Sequence, residues 1–107
     1  MELVGITKEF MEARKAKDNH KAIDFCDGAV FWETPDGKAN GQDAVMEFWG
    51  KIDSKDKPNI TWSEFEQVGD NKVKREGKIK KMMMTFTINH EFIFINGKIS
   101  HCKIAKA

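Results

Sequence analysis

The stretch MMMTFTINHEFIFINGKISHCKIAKA, residues 82–107, places two alternating runs on either side of Asn96-Gly97. That dipeptide between apolar alternations is the strongest short-range signal for a β-hairpin. Strand side chains alternate, so Phe86, Ile88, His90, Phe92 and Phe94 share one face. This face is apolar except for one histidine. The other face, Thr85, Thr87, Asn89, Glu91, Ile93 and Ile95, is mixed. A long hairpin therefore covers a hydrophobic interior, with His90 set into it.

Working outward, the 107 residues are enough for one domain, 1–107, with a single modest core. Hydrophobic residues make up 40% and charged residues 33%, which places the chain among globular rather than disordered proteins. A formal charge of +1 provides no global field for nucleic acid or a membrane. Sixteen of the eighteen basic residues are lysine, the pattern of a solvated surface rather than of bidentate phosphate recognition. No apolar run is long enough to span a bilayer, and the first residues do not open a signal peptide. Cys26 and Cys102 lack metal-ligand spacing, so no metal, cofactor or disulfide framework is expected. The expected location is intracellular, in the cytoplasm.

Before the hairpin, Ile6, Phe10, Met11 and Ala13 recur at helical spacing over residues 6–17, with Arg14, Lys15 and Lys17 late, as a helix dipole favours. Asp18-Asn19 breaks this helix. A second short one is expected over 20–26, ended by Asp27-Gly28. Residues 29–34, AVFWET, read as a strand and 35–38 as a turn. Gly41-Gln42-Asp43 opens a third helix with Ala44, Val45, Phe48, Trp49 and Ile52 on a wide apolar stripe. A lysine-rich loop covers 54–59. Two strands, 60–68 and 73–79, follow around residues 69–72. A two-residue turn at Asp70-Asn71 sets Trp62 against Ile79, Glu66 against Arg75 and Val68 against Val73. Lys72, Lys74, Glu76, Lys78 and Lys80 then lie on the solvated side. Helices first and strands after make an α+β layout, with three N-terminal helices against a strongly curved, mostly antiparallel sheet. A cone of this kind holds a default ligand cavity.

These segments together resemble the NTF2-like superfamily, and within it the SnoaL-like and ketosteroid-isomerase-like small proteins. The resemblance rests on the helix break at Lys17-Asp18-Asn19, on Asp27-Gly28-Ala29-Val30-Phe31-Trp32 with Pro35-Asp36-Gly37, on residues 41–48, and on residues 91–99. It covers nearly the whole chain and implies an NTF2-like cone, commonly a homodimer through the convex sheet face. It also implies positions for acid–base groups. The ketosteroid-isomerase general base falls on Glu33 or Thr34, depending on the direction of counting, and the oxyanion-hole aspartate falls on His90. The oxyanion tyrosine has no counterpart, since the chain contains no tyrosine.

His90 is thus the leading candidate for a general acid or base, against the plainer reading of a histidine bonded to its neighbours. Its cross-strand partner depends on register. A two-residue turn at Asn96-Gly97 sets it opposite Lys103; a three-residue loop with a glycine bulge sets it opposite Cys102. The resemblance favours Cys102, whose plain reading is a small core residue. Glu64 and Glu33 are the candidate acids, while Glu66 is expected to pair with Arg75. Phe10, Trp32, Thr34, Trp49, Trp62, Phe92, Phe94 and Cys102 are expected to line the cavity and to face a small apolar or aromatic ligand. Met82-Met83-Met84 reads as a pocket rim, a partner surface or packing filler. Three functions follow: a metal-independent isomerase, cyclase or dehydratase acting on an apolar carbonyl compound; a non-catalytic ligand-binding or homodimerisation module; and partner binding through the basic strand 72–81. That strand lacks interleaved aromatics, which argues against nucleic acid.

Overall fold

The structure, a computed structural model, describes residues 2–55 and 59–107. The middle of the loop expected over 54–59 lies outside these residues. Helix α1 (Leu3–Lys15) forms because Leu3, Thr7, Phe10 and Ala13 fall on one buried stripe while the basic Arg14 and Lys15 occupy its last turn. It ends in a Schellman motif: Lys17 adopts a left-handed φ of 59°, Lys17 N–H donates to Arg14 O, and Asp18 N–H donates to Ala13 O. Asp18 then caps α2 (Asn19–Ile23) through a bond from Lys21 N–H. This helix is shorter than expected, and Asp27-Gly28 does not end it. Both residues lie inside β1 (Cys26–Thr34), where the pairing shifts register between Cys26 and Phe31. The turn at Pro35-Asp36 leads into β2 (Gly37–Asn40), a strand not foreseen, which pairs antiparallel with β1. Gly41 precedes α3 (Gln42–Asp53), which buries Val45 and Trp49.

The expected strand 60–68 is two pieces, β3 (Ile60–Trp62) and β4 (Glu66–Val68), both paired with β5 (Lys72–Lys81). Across the gap, Ser63 N–H donates to Glu76 O, and Glu76 N–H donates to Ser63 Oγ. The break changes the register. Trp62 faces Gly77, Glu66 faces Lys74 and Val68 faces Lys72, so the expected pairing of Glu66 with Arg75 does not occur. Strand β6 (Met84–Ile95) pairs with β5 from Met84 to Ile93, and from Ile88 onward with β7 (Lys98–Lys106). The sheet order is β2-β1-β7-β6-β5-β3, with β4 also on β5; β1 and β7 run parallel and the other pairs antiparallel. The three helices lie on one face, α1 against β4 and β5 and α3 against β1 and β2.

Asn96 and Gly97 make a two-residue turn, with φ of 50° and 76°, rather than the three-residue loop that would set His90 opposite Cys102, and neither proposed register gives the observed partner of His90. After Phe94 faces Ile99, Ser100 is an extra residue whose hydroxyl donates to Ile93 O, and His101 faces Ile93. Beyond this bulge Phe92 faces Cys102 and His90 faces Ile104. On the inward row of β6, Ile88, His90, Phe92 and Phe94 are buried as the alternation predicts, but Phe86, expected on the same face, is exposed near the Met82-Met83 turn, before β6 begins to pair with β7 at Ile88. Outward, Lys74, Glu76, Lys78 and Lys80 of β5 are exposed.

The β5–β6 turn is Met82-Met83, both with left-handed φ (51° and 67°) and both almost fully exposed. They form neither a pocket rim nor packing filler. Side chains in this conformation clash with their own carbonyl oxygens, which asparagine and glycine tolerate far better. Replacing Met82-Met83 with Asn-Gly should therefore raise the unfolding free energy by about 1–2 kcal/mol in urea denaturation. Unchanged or lower stability would contradict this account of the turn.

Candidate functional site

The interior of the helix-covered face is filled. Phe10 is fully buried, its ring 5.7 Å from Trp32, 5.6 Å from Trp49, 5.9 Å from Phe92 and 6.4 Å from Phe25. Trp32, Trp49, Phe92, Phe94 and Cys102 are all buried in the same core. These residues, expected to line a cavity, pack against one another instead. Thr34 serves the β1–β2 turn, donating to Gly37 O and accepting from Asp36 N–H. Of the expected lining, only Trp62 borders the open space.

That space is a cleft of about 530 Å³ between α1 and the β3–β5 end of the sheet, within the ordinary range for small-molecule sites. Lys8, Met11, Glu12 and Lys15 border it from α1, Trp62 and Arg75 from the sheet, and Phe65 from the break between β3 and β4. Both arginines of the chain, Arg14 and Arg75, border it. They are held very differently. Arg14 Nη1 and Nη2 donate to the two Asp53 carboxylate oxygens at 3.1 Å, Nη1 also donates to Asn19 Oδ1 at 2.8 Å, and the group lies over Trp49. It ties α1 to α2 and α3.

Arg75 is held by its inner edge only. Its Nε–H donates to His90 Nδ1 at 3.2 Å, a bond set by the direct opposition of the two residues in β5 and β6. Its guanidinium carbon stands 3.8 Å from the Trp62 ring centre and 4.4 Å from that of Phe65, contacts that stabilise a cation beside an aromatic face. Trp62 is seated there by Gly77, where a Cβ would lie 2.7 Å from its ring. Among the described residues Nη1 and Nη2 of Arg75 have no hydrogen-bond or ion-pair partner. Burial lowers the Arg75 pKa to about 10, opposed by the Cys102 thiol site, so the group stays charged at neutral pH.

Because Nδ1 accepts from Arg75, the ring proton of neutral His90 belongs on Nε2, which lies 3.4 Å from Cys102 Sγ. Cys102 meets His90 diagonally across β6 and β7 rather than from the directly opposite position. Burial, reinforced by the Arg75 charge, holds the His90 pKa down at about 3. Burial also pushes the Cys102 thiol well above its ordinary value and Cys26 up to about 12, the latter against the pull of Lys98. Neither cysteine is a thiolate at neutral pH, which removes the condition for nucleophilic catalysis.

The two candidate acids are elsewhere. Glu33 points to the opposite side of β1 from Trp32, 3.6 Å from His101 and 4.0 Å from Lys38. Glu64 sits exposed in the break between β3 and β4, outside the cleft beside α1; with Glu66 and Glu76 it lines a second, neighbouring cleft of about 430 Å³ that Arg75 and Phe65 also border. Both were placed by counting along strands that carry a bulge or a break. Sequence reasoning missed Arg75 as a site residue, along with Phe65 and Met11. The signal was present: Arg75 alternates with Lys72, Lys74, Lys78 and Lys80 and shares the inward parity of Val73 and Ile79. No group of three or more metal-ligating side chains occurs among the described residues, and no helix there is long and apolar enough to cross a membrane.

No family model matches the chain, and a search of curated proteins finds no match. Solved structures do match. An NTF2-like protein of unknown function from Cytophaga hutchinsonii aligns at 16% identity with a TM-score of 0.75, covering 100% of this chain and 91% of that one. A second NTF2-like protein of unknown function, from Burkholderia pseudomallei, aligns at 19% identity and a TM-score of 0.76, covering 100% and 92%. A proposed polyketide cyclase from Sinorhizobium meliloti aligns at 16% and 0.76, covering 94% of each chain. The chain therefore has the NTF2-like fold. At these identities the likeness is one of fold, which hosts many functions.

The folded chain refuses a proton at His90 until about pH 3, whereas the ordinary value is 6.5. The unfolded chain takes up that proton first, so stability is lost as pH falls below about 6.5. Between pH 7 and pH 5 this component amounts to about 2 kcal/mol. Urea denaturation of His90→Gln should show a pH dependence smaller by that amount. Equal pH dependence in the two proteins would contradict the assignment.

Proposed function

We propose that this NTF2-like chain is a small-molecule-pocket protein of the SnoaL-like type, and that it takes its ligand in the cleft between α1 and the β3–β5 end of the sheet. The observation that carries the reading is Arg75, a charged group held at Nε by His90, with no partner for Nη1 and Nη2 among the described residues, on the border of the cleft. Half-buried cations without a partner are costly, so a fold that keeps one beside a cleft is suited to an incoming group. Met11, Trp62 and Phe65 supply apolar contact around it.

In this reading binding is primary, and His90 positions Arg75. A second reading makes His90 the acid–base group of a cyclase, isomerase or dehydratase, and it draws support from the fold shared with a proposed polyketide cyclase. Proton transfer at Nδ1 then requires the ligand to displace Arg75 from it. The low His90 pKa and the occupied ring nitrogens favour the first reading.

Indole N–H resonances separate the cleft from the interior, because Trp62 borders the cleft while Trp32 and Trp49 are buried. In a screen of neutral, cationic and anionic two-ring aromatic compounds, binders should move the Trp62 resonance and leave Trp32 and Trp49 in place. Binding that moves Trp32 and Trp49 instead, or no binding by any compound, would overturn the assignment of the cleft.

A further inference from the structure

The two arginines beside the cleft pose a chemical question that only one of them answers within the chain. Arg14 meets a carboxylate with both terminal nitrogens, the paired arrangement in which a planar guanidinium fork matches two oxygens. Arg75 has no such partner among the described residues. Glu66, the acid that a simple hairpin would have put opposite it, faces Lys74 and is exposed, because the chain breaks at residues 63–65. The break also brings Phe65 against the guanidinium, so an aromatic ring stands where a carboxylate would otherwise pair.

Several constraints then act on any occupant. His90 takes the Nε–H, which fixes the plane of the group and leaves the opposite edge, Nη1 with Nη2, as the available donor pair. Trp62 and Phe65 lie close against the guanidinium carbon, which favours approach in the guanidinium plane. Two parallel N–H donors in one plane suit two acceptor oxygens in that plane. Around the fork the cleft is apolar on Met11, Trp62 and Phe65, and its rim carries Lys8 and Lys15 against Glu12. A phosphate monoester would bring a second charge and a third oxygen, and the further cations available to it are those exposed rim lysines.

We infer that the cleft takes an organic monocarboxylate, whose two oxygens accept from Nη1 and Nη2 of Arg75 while a flat apolar body lies against Met11, Trp62 and Phe65. This rests on the cleft being the ligand site and adds the chemical class of the ligand. Arg75 is the specificity-determining residue, and Gly77 and His90 position its surroundings: Gly77 makes room for Trp62, and His90 orients the fork.

The test uses the full chain with labelled arginine side chains and three matched probes: 2-naphthoate, 2-naphthamide and 2-naphthyl phosphate. With only two arginines, Arg14 is an internal control, locked on Asp53. 2-Naphthoate should shift the Arg75 guanidinium resonance, leave that of Arg14 unchanged, and bind at least about tenfold more tightly than the amide. Arg75→Gln should abolish that preference, with the unchanged indole N–H resonances of the buried Trp32 and Trp49 reporting that the variant is folded. Arg75→Lys, which keeps the charge and loses the fork, should lose most of the preference.

If the amide binds as tightly as the acid and moves Trp62, the carboxylate class falls and the cleft assignment stands. Tighter binding of the phosphate overturns the class in favour of a phosphate site. Full retention of the preference in Arg75→Lys overturns the role of the fork. If no probe moves either Trp62 or Arg75, the class and the cleft fall together.

Discussion

The hydrogen bond from Arg75 Nε to His90 Nδ1, 3.2 Å long, joins the closed half of the molecule to its open half. On one side His90 is buried among Trp62, Phe92 and Cys102; on the other, the guanidinium borders the cleft. The bond needs a neutral imidazole with a lone pair on Nδ1. Burial and the neighbouring positive charge both disfavour an imidazolium there, so the interaction and the protonation state support each other. The buried histidine thus has a physical reason for its place that does not involve moving a proton. It converts a flexible arginine into a fixed donor edge.

The aromatic core makes the other division. Phe10, Trp32, Trp49 and Phe92 fill the space under the helices, so the open volume is displaced to where α1 passes over the interrupted edge of the sheet. That edge is open because β3 and β4 are three residues each with a break between them. Gly77 completes the arrangement, since any larger residue would meet Ile60 and Trp62. The cleft is thus a product of strand interruption and one missing Cβ rather than of a hollow core.

The parts legible in the sequence are those governed by simple periods. Most of the inward row of β6 and the stripe of α1 follow from spacings of two and of three to four residues, and Asn96-Gly97 marked where the hairpin turns but not its loop length. The unforeseen parts are departures from a period. β2, GKAN, has no alternating apolar pattern to announce it. Ser100 inserts one residue into β7, and residues 63–65 interrupt the edge; each change displaces every later pairing, and with it the partners of His90 and Arg75. Glu64 was misplaced for this reason, because its side depended on an uninterrupted strand. Arg75 kept its inward parity but changed partner from an acid to an imidazole. Its role was hidden because it depends on where Glu66 is not.

The most direct measurement is the ring-nitrogen spectrum of His90 in the ligand-free protein, by long-range proton–nitrogen correlation from pH 7 down to pH 5. The account predicts one neutral tautomer throughout, with the proton on Nε2 and Nδ1 unprotonated and accepting a hydrogen bond. A ring that titrates near its ordinary value, or that carries its proton on Nδ1, would contradict it: Arg75 would then have no fixed partner behind it, and the oriented donor edge on which the site depends would not exist.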